Sequence, residues 1–436
     1  MATKIKMFVC GPTVYDYIHI GNARTFVIFD AFAKWLRFKG VDLEYIQNIT
    51  DIDDKILARA KEQGREPAEY AREWETKFYE DATALGITSP IYKRAMDHIP
   101  EIKSQVQRLL DSKHAYMLED GIYFDLATFP DYGKLSGRTD LHDDDAVSRI
   151  DENQNKRNKG DFCIWKGSLE EGRPGWHIED TAITEKYFGP QYDVHGGGID
   201  LKFPHHEAEI AIMESISGKK PFVKTWMHAG FLVNKGKRMG KSNANFMTAR
   251  EALQIYSREA LRFYFLSAHY RSPLDYSEDN LKQAEAAVAR LGEFLKKLHD
   301  FEDEMQLDAN EHFDVMVRDA ERAFKDALEN DFNTPRALGI LFELVKTLNT
   351  HITTRILDKE TAGRVQKFFT VVNEILGVIP SQTIVIPKTM EMLIESRERA
   401  RTSKDYALAD KLRGQIEEGG YHVDDTAYGP LVKPLR

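Results

Sequence analysis

The chain has 436 residues, 42% hydrophobic and 30% charged, with a formal net charge of −10. This is enough apolar material for roughly two to four cored domains, while no apolar run approaches the ~20 residues of a membrane helix. With no cleavable apolar leader and only Cys10 and Cys163 as cysteines, membrane, secreted and disulfide-framework classes are excluded and a cytoplasmic protein is expected.

In chain order, "IKMFV" (5–9) reads as a short buried strand stopped by "CGPT". "NARTFVIFDAFAKWLRFKG" (22–40) follows as an amphipathic helix with Phe26, Phe29, Ala33 and Leu36 on one face and Gly40 at its end. "VDLEYIQNIT" is the next strand, so a βαβ unit and a parallel sheet are expected. Residues 53–110 read largely as helix, and the stretch from "GIYFDLATFP" to "DFCIWKG" as a mixed insertion with short strands and the hydrophilic loop "RIDENQNKRNKGD". "YDVHGGGIDLKF", a helix from "HHEAEIAIM" and "TWMHAGFLV" make a second α/β portion. After Met247 no further sheet is evident until the end: helices fill 281–376, "VIPSQTIVIP" (378–387) is a linker, and a small tail domain closes the chain. Its stretch 395–413, with six Arg and Lys residues, suits either a solvated face or a phosphate-contacting helix.

Three motifs carry chemistry. "FPHHEAEIAIM" (203–213) sets His205 and Glu209 four apart, on one helical face. They read either as a metal-binding pair or as part of a solvated helix start, which the adjacent Pro204 and acidic residues favour. "TVYDYIHIGNARTF" puts His19, Gly21 and Asn22 just before a helix, whose free N–H groups and dipole suit phosphate. "GKRMGKSNANF" (236–246) offers Lys237, Arg238 and Lys241 on a glycine-punctuated loop able to clamp a polyphosphate.

"HIGN" and "RMGKS", about 220 residues apart around a split sheet, resemble the paired nucleotide signatures of class I aminoacyl-tRNA synthetases. "MFVCGPTVYDYIHIGNARTF", "NITDIDDKI", "GRPGWHIED", "DVHGGGIDLKFPHHEAEIA" and "KTWMHAGFL" narrow the resemblance to the cysteinyl-tRNA synthetase family over nearly the whole chain. It implies an α/β fold: a Rossmann-like parallel-sheet catalytic domain (1–115 and 176–246) split by a connective insertion (116–175). A helical stem-contact junction (247–305), a helical-bundle anticodon-binding domain (306–378) and a small C-terminal domain (388–436) would follow. It implies a ligase that joins L-cysteine to ATP, with magnesium, and passes the cysteinyl group to the terminal adenosine of tRNA(Cys). A monomer is expected.

The same resemblance implies one zinc per chain, held at Cys10, Asp180, His205 and Glu209. It implies amino-acid contacts from Cys10, Thr50, Trp176 and Asp200, and nucleotide contacts from His19, Gly21, Asn22, His195, Gly196, Gly197, Gly198, Trp226, Arg238, Lys241 and Ser242. His19, Asn22 and Lys241 are the expected catalytic groups. Core packing is the alternative role for the two tryptophans. Zinc chemistry suits the selection of cysteine. A shaped pocket separates near-isosteres such as cysteine and serine by only ~1–3 kcal/mol, whereas zinc takes a thiolate as a soft ligand. The insertion is short, leaving little room for an editing domain.

Two features depart from the pattern. Asp180 stands where the family has cysteine; it is a direct oxygen ligand, or it sits behind the ligands with water or another side chain in the fourth place, or the site holds no metal. Arg238 and Gly240 replace lysine and serine in the second signature, changing a compact charge for a planar fork and loosening the loop. These departures also motivate a non-catalytic RNA-binding or regulatory paralogue. An ATP-dependent cysteine:amino-sugar ligase, which lacks the anticodon portion, is a further alternative. Cys163 reads as a packed core residue.

Overall fold

The computed structural model describes residues 4–138, 155–234, 237–238, 247–300, 311–353, 356–380, 387–426 and 429–435. The chain divides into two compact units. The first comprises 1–285, 327–335 and 374–378; the second 286–326, 336–373 and 379–436.

The first unit runs β1 (Ile5–Val9), α1 (Ile20–Phe38), β2 (Leu43–Ile49), α2 (Asp54–Glu62), α3 (Pro67–Ala84), β3 (Ile91–Arg94) and α4 (Ile99–Asp111). Then come β4 (Ala115–Leu118), β5 (Gly121–Phe124), β6 (Phe162–Lys166), β7 (Arg173–Pro174) and α5 (Ile178–Phe188). β8 (Tyr192–Gly198), α6 (His205–Ser217), β9 (Val223–Ala229), β10 (Leu232–Asn234), β11 (Lys237–Arg238), α7 (Ala249–Ile255), α8 (Arg258–Leu266) and β12 (Leu274–Asp275) follow.

Five strands form a parallel sheet in the order β3-β2-β1-β8-β9. β1 lies at the centre, where the strand order reverses, and in open α/β sheets ligands sit beyond the carboxyl ends of the strands at that point. Cys10 follows β1, Thr50 follows β2 and Gly198 ends β8, so all three project from this edge. β4-β5-β6-β7 make a separate antiparallel sheet, the insertion, whose apolar side packs with α4, α5 and α6 around Phe124, Phe162, Ile164 and Trp165.

Three sequence expectations change. The sequence places β3 within a helical stretch; its four residues are an edge strand with Ile91 exposed, so they lack the apolar run of a central strand. β12 adds a strand beyond Met247, paired with β10. α1 is not amphipathic in its central turns: every residue from Ala23 to Ala31 is buried, including Arg24 and Asp30. Asp30 and Arg262 of α8 form a buried ion pair at 3.0 Å, completed by Lys34 and the Thr88 and Ser89 N–H groups.

The second unit contains most of α9 (Glu278–Asp300), α10 (Glu311–Glu329), α11 (Thr334–Thr353) and α12 (Lys359–Leu376), packed through pairs such as Phe294–Phe369 and Phe324–Phe368. α13 (Lys388–Thr402), α14 (Tyr406–Glu418), β13 (Tyr421–Thr426) and β14 (Gly429–Pro434) form a helical hairpin and a β-hairpin around Met390, Ile394, Ile416, Val423 and Val432. The basic stretch here is partly structural: Arg397, Arg401 and Arg413 converge on Asp425, leaving Arg399, Lys404 and Lys411 as its exposed cations. Among the described residues no helix is long and apolar enough to cross a membrane.

Candidate active site

A cavity of about 660 Å³ opens at the carboxyl edge of the sheet. Cys10, Thr50, Trp176 and Asp200 line it together with Asp180 and His205. Its other walls include the start of α1, with His19, Gly21 and Asn22, and the segment from Ala229 to Leu232.

The metal-ligand candidates converge. One donor atom from each of Cys10, Asp180, His205 and Glu209 lies within 4.8 Å of every other, and all four residues are buried. The fold explains the meeting: Cys10 leaves the central strand, Asp180 sits in the first turn of α5, and His205 and Glu209 are one turn apart on α6. His205 Nε2 is 3.1 Å from Asp180 Oδ2 and 3.2 Å from Glu209 Oε1. Among the described residues Asp180 Oδ1 and both Glu209 oxygens have no hydrogen-bond partner; the close His205 approach to Glu209 lacks hydrogen-bond alignment. Buried carboxylate oxygens left without donors are costly, and a divalent cation would satisfy them. One thiol, one imidazole and two carboxylates are an acceptable donor set for zinc.

The electrostatics agree. Burial raises the Cys10 thiol pKa well above its usual value, and the charges of Glu209 and Asp180 raise it further. Burial pushes Glu209 up to about 8 despite His205. His205 is penalised by burial, yet Glu209 and Asp180 hold it up at about 10. Acid groups pushed toward neutrality around one point are what a cation would reverse. Behind the cluster stands a set of imidazoles, of which the sequence reading had singled out His195 as a nucleotide contact and had given His177 and His228 no role. His177 Nδ1 lies 2.9 Å from His205 Nδ1, while His195 and His206 place Nε2 at 3.3 and 3.2 Å from Cys10 Sγ. His206 also meets His228 at 2.8 Å. Burial lowers the pKa of all four, keeping them neutral. Their signal was in the sequence, as five histidines between 177 and 228. Glu207, next to His206, points elsewhere and accepts from Gly133 and Ser136 N–H.

The start of α1 corrects one expectation. Gly21 and Asn22 lie inside the first turn, and His19 is the N-cap. Its Nδ1 accepts from the N–H groups of Gly21 and Asn22, at 3.0 and 3.2 Å, while Ile20 N–H donates to Met247 O. The expected row of free N–H groups is therefore already used. In the neutral ring the proton is left on Nε2. Gly21 is required by this cap, because a Cβ there would lie 2.9 Å from the His19 ring.

Gly198 lines the cavity, but His195, Gly196 and Gly197 are buried behind it. Gly196 makes room for a helix rather than a ligand: a Cβ would lie 2.3 Å from the Phe29 ring of α1. Trp226 does not line the cavity either; it stacks on His195 at 4.6 Å. Trp176 stacks on His205 at 4.5 Å while also lining the cavity. Arg238 is described only as the backbone of β11; Gly240, Lys241 and Ser242 lie outside the described residues. Cys163 is buried with Tyr116 and Tyr123, away from the cluster.

Arg24, also missed, is fully buried one turn beyond His19. Its guanidinium donates to the carbonyls of Gly230, Phe231 and Ser272 at 2.7, 3.1 and 2.8 Å, and to His269 O at 3.4 Å. It ties the first-signature helix to the cavity wall at Gly230 and Phe231.

Residues 1–286 match the family described as tRNA synthetases class I (C) catalytic domain, and 323–380 match the DALR domain family. The cysteine–tRNA ligase of Carboxydothermus hydrogenoformans is 40% identical, with 98% of this chain and 94% of that protein covered. The chain belongs to the cysteine–tRNA ligase family. That of Thermococcus onnurineus is 38% identical over 99% and 95% of the two chains. Members of this family are enzymes of the ligase class. Among solved structures, Mycobacterium tuberculosis methionyl-tRNA synthetase in complex with methionyl-adenylate superposes with a TM-score of 0.65 at 15% identity, covering 87% of this chain and 90% of that one. This shared fold is the split parallel-sheet catalytic domain followed by helices. The DALR match falls in the portion that the amino-sugar ligase alternative lacks.

Proposed function

We propose that this ligase activates L-cysteine with magnesium–ATP to cysteinyl-adenylate and transfers the cysteinyl group to the 3′-terminal adenosine of tRNA(Cys). We further propose that it selects cysteine over serine at a zinc centre. The observation that carries the reading is the convergence of Cys10, Asp180, His205 and Glu209, the first three lining the cavity, with three of their carboxylate oxygens lacking hydrogen-bond partners among the described residues. Zinc held by these four residues would supply a soft acceptor for the substrate's sulfur.

The chain's own groups do the rest. Trp176 stacks on His205 and limits the space around the side chain. Thr50 and Asp200 face the backbone groups of the amino acid, and His19, through its Nε2 proton, with Asn22, faces the phosphates. Lys241 contacts the leaving phosphates and carries more of the activation step than Arg238. The helices of residues 306–378 and the domain of residues 388–436 read the anticodon arm, 247–305 contacts the tRNA stem, and 116–175 is the connective insertion. The chain works in the cytoplasm as a monomer.

ATP–pyrophosphate exchange with cysteine and with serine, on metal-replete and metal-stripped protein, tests the reading. Metal-dependent exchange with cysteine and little with serine supports it. Full cysteine exchange by protein shown to contain no metal would overturn the zinc centre, and absence of cysteine-dependent exchange would overturn the activity.

A further inference from the structure

The segment between α8 and β12, residues 269–272, carries the cavity wall on its backbone and is itself held by its side chains. Gly230 N–H donates to Tyr270 O at 2.7 Å, and Leu274 N–H donates to Phe231 O at 2.9 Å. The fit is close: a Cβ at Gly230 would lie 2.4 Å from Ser272 O. Arg24 binds the His269 and Ser272 carbonyls together with those of Gly230 and Phe231. The side chains meet one carboxylate. Asp331 accepts from the Tyr270 hydroxyl at 2.8 Å and from Arg271 Nε and Nη2 at 2.7 and 2.8 Å. His269 Nε2 stands 3.7 Å from Asp331 Oδ2.

Asp331 lies in the turn joining α10 to α11, and residues 327–335 belong to the first unit. Asp331 and Phe332 both have positive φ, 54° and 51°. That conformation is uncommon for any residue but glycine and unfavourable for a bulky one, and it persists only where the surroundings enforce it. Here they do. Phe332 is buried with its ring 5.3 Å from that of Phe32 on α1, and Thr334 Oγ1 donates to Leu266 O, at the end of α8, at 2.7 Å. Asp331 is thereby presented to Tyr270 and Arg271 on a fixed backbone. The arginine fork is bidentate and Tyr270 is buried, so the contact has more geometric definition than an ordinary surface ion pair.

The wall in question stands at the α1 end of the cavity. Leu232, which follows Phe231, places its Cβ 3.8 Å from the position of a Cβ on Gly21, in the first turn of α1. We infer that Asp331 is a positioning residue for ATP: through Tyr270 and Arg271 it fixes the segment on which Gly230 and Phe231 rest. This rests on the proposed placement of the nucleotide against α1 and deepens it. One cation from α1 and one anion from the α10–α11 turn then hold the same segment.

Asp331→Gly separates contact from conformation. Glycine takes a positive φ without strain, so the turn keeps its path and only the carboxylate is lost. In cysteine-dependent ATP–pyrophosphate exchange this variant is expected to raise the ATP KM about three- to tenfold, as for loss of a charge-assisted contact at a half-exposed site. The cysteine KM should stay within about twofold, and kcat should change less than the ATP KM. Asp331→Asn tolerates positive φ and keeps an acceptor, so it should recover part of the loss. Tyr270→Phe combined with Asp331→Gly should resemble Asp331→Gly alone. Thermal melting shows that each variant is folded at the assay temperature; should Asp331→Gly not be, Arg271→Met breaks the same contact from its other side and is read in the same way. An ATP KM within about twofold of the parent in the folded variant would overturn the inference, as would an equal rise in the cysteine KM. Saturable ATP dependence of cysteine exchange by the parent leaves the proposed activity standing whatever Asp331→Gly shows. No cysteine-dependent exchange by the parent overturns that activity and this inference with it.

Discussion

Replacing Arg24 by methionine removes a buried cation while keeping much of its apolar stem. Three close hydrogen bonds disappear, to Gly230, Phe231 and Ser272 carbonyls, along with the longer one to His269. Hydrogen bonds from a charged donor contribute about 1.5–3 kcal/mol each, so the three close ones set a gross loss of about 5–9 kcal/mol. Against this stands the cost of burying the charge. Burial lowers the Arg24 pKa from 12.5 to about 10, equivalent to about 3 kcal/mol against the guanidinium. The net expectation is a destabilisation of about 2–6 kcal/mol, and at about 1–2 °C per kcal/mol for a unit of this size the melting temperature should fall by at least about 2 °C. Because Gly230 and Phe231 line the cavity, the ATP KM in pyrophosphate exchange should rise several-fold in protein still folded at the assay temperature. Arg24→Lys keeps the charge but cannot reach the spread of carbonyls and should be intermediate in both readouts. A melting temperature within about 1 °C of the parent, together with an unchanged ATP KM, would refute the view that this side chain holds the wall.

Asp180→Cys replaces an oxygen donor by sulfur, so competition against a chromophoric chelator should show zinc and cadmium held roughly tenfold or more tightly; unchanged affinity would remove Asp180 from the coordination shell. Burial raises the Asp51 pKa from 3.8 to about 6, although the Met96 N–H donates to it. A raised carboxyl pKa means the folded state holds the proton more tightly: the stability is fully present below about pH 4 and is lost as pH rises through about 6. Asp51→Asn should therefore be more stable than the parent at pH 8, by no more than about 3 kcal/mol, with the gap closing toward pH 5. Denaturant titrations showing a pH-independent gap would contradict this. Tyr406 stands 64% exposed at the start of α14, near Lys404 and Lys411. If it stacks on an anticodon base, Tyr406→Ala should weaken tRNA binding by about 1–3 kcal/mol while leaving cysteine-dependent exchange unchanged. Equal tRNA affinity in a filter-binding assay would exclude that contact.

Much of the catalytic fold was legible because its strands are short apolar runs closed by turn residues. "IKMFV" before "CGPT" and "VDLEYIQNIT" after a long helix could hardly be read otherwise. β3 escaped because an edge strand of four residues, half of them charged, carries no periodic signal. β12 escaped because two residues carry none at all. The convergence of Cys10, Asp180, His205 and Glu209 rested on resemblance; only the His205–Glu209 pair was readable from helical spacing. The role of Arg24 was out of reach for a physical reason: it acts through backbone carbonyls supplied by distant segments, and local sequence does not encode those partners. Arg24 did leave one trace: an arginine inside the run "ARTFVIF" is out of place on a solvated face and pointed to a buried guanidinium.

The position of β1 has a consequence for synthesis. One edge of β1 pairs with β2 soon after both emerge, but the other waits for β8, whose Asp193 bonds Lys6 across 187 residues of chain. At ~5–20 residues per second that interval lasts roughly 10–40 s. Throughout it, the strand that delivers Cys10 offers an edge of unpaired backbone N–H and C=O groups to the crowded exit of the ribosome. This nascent chain is therefore a natural client for holding chaperones until residue 198 has cleared the tunnel.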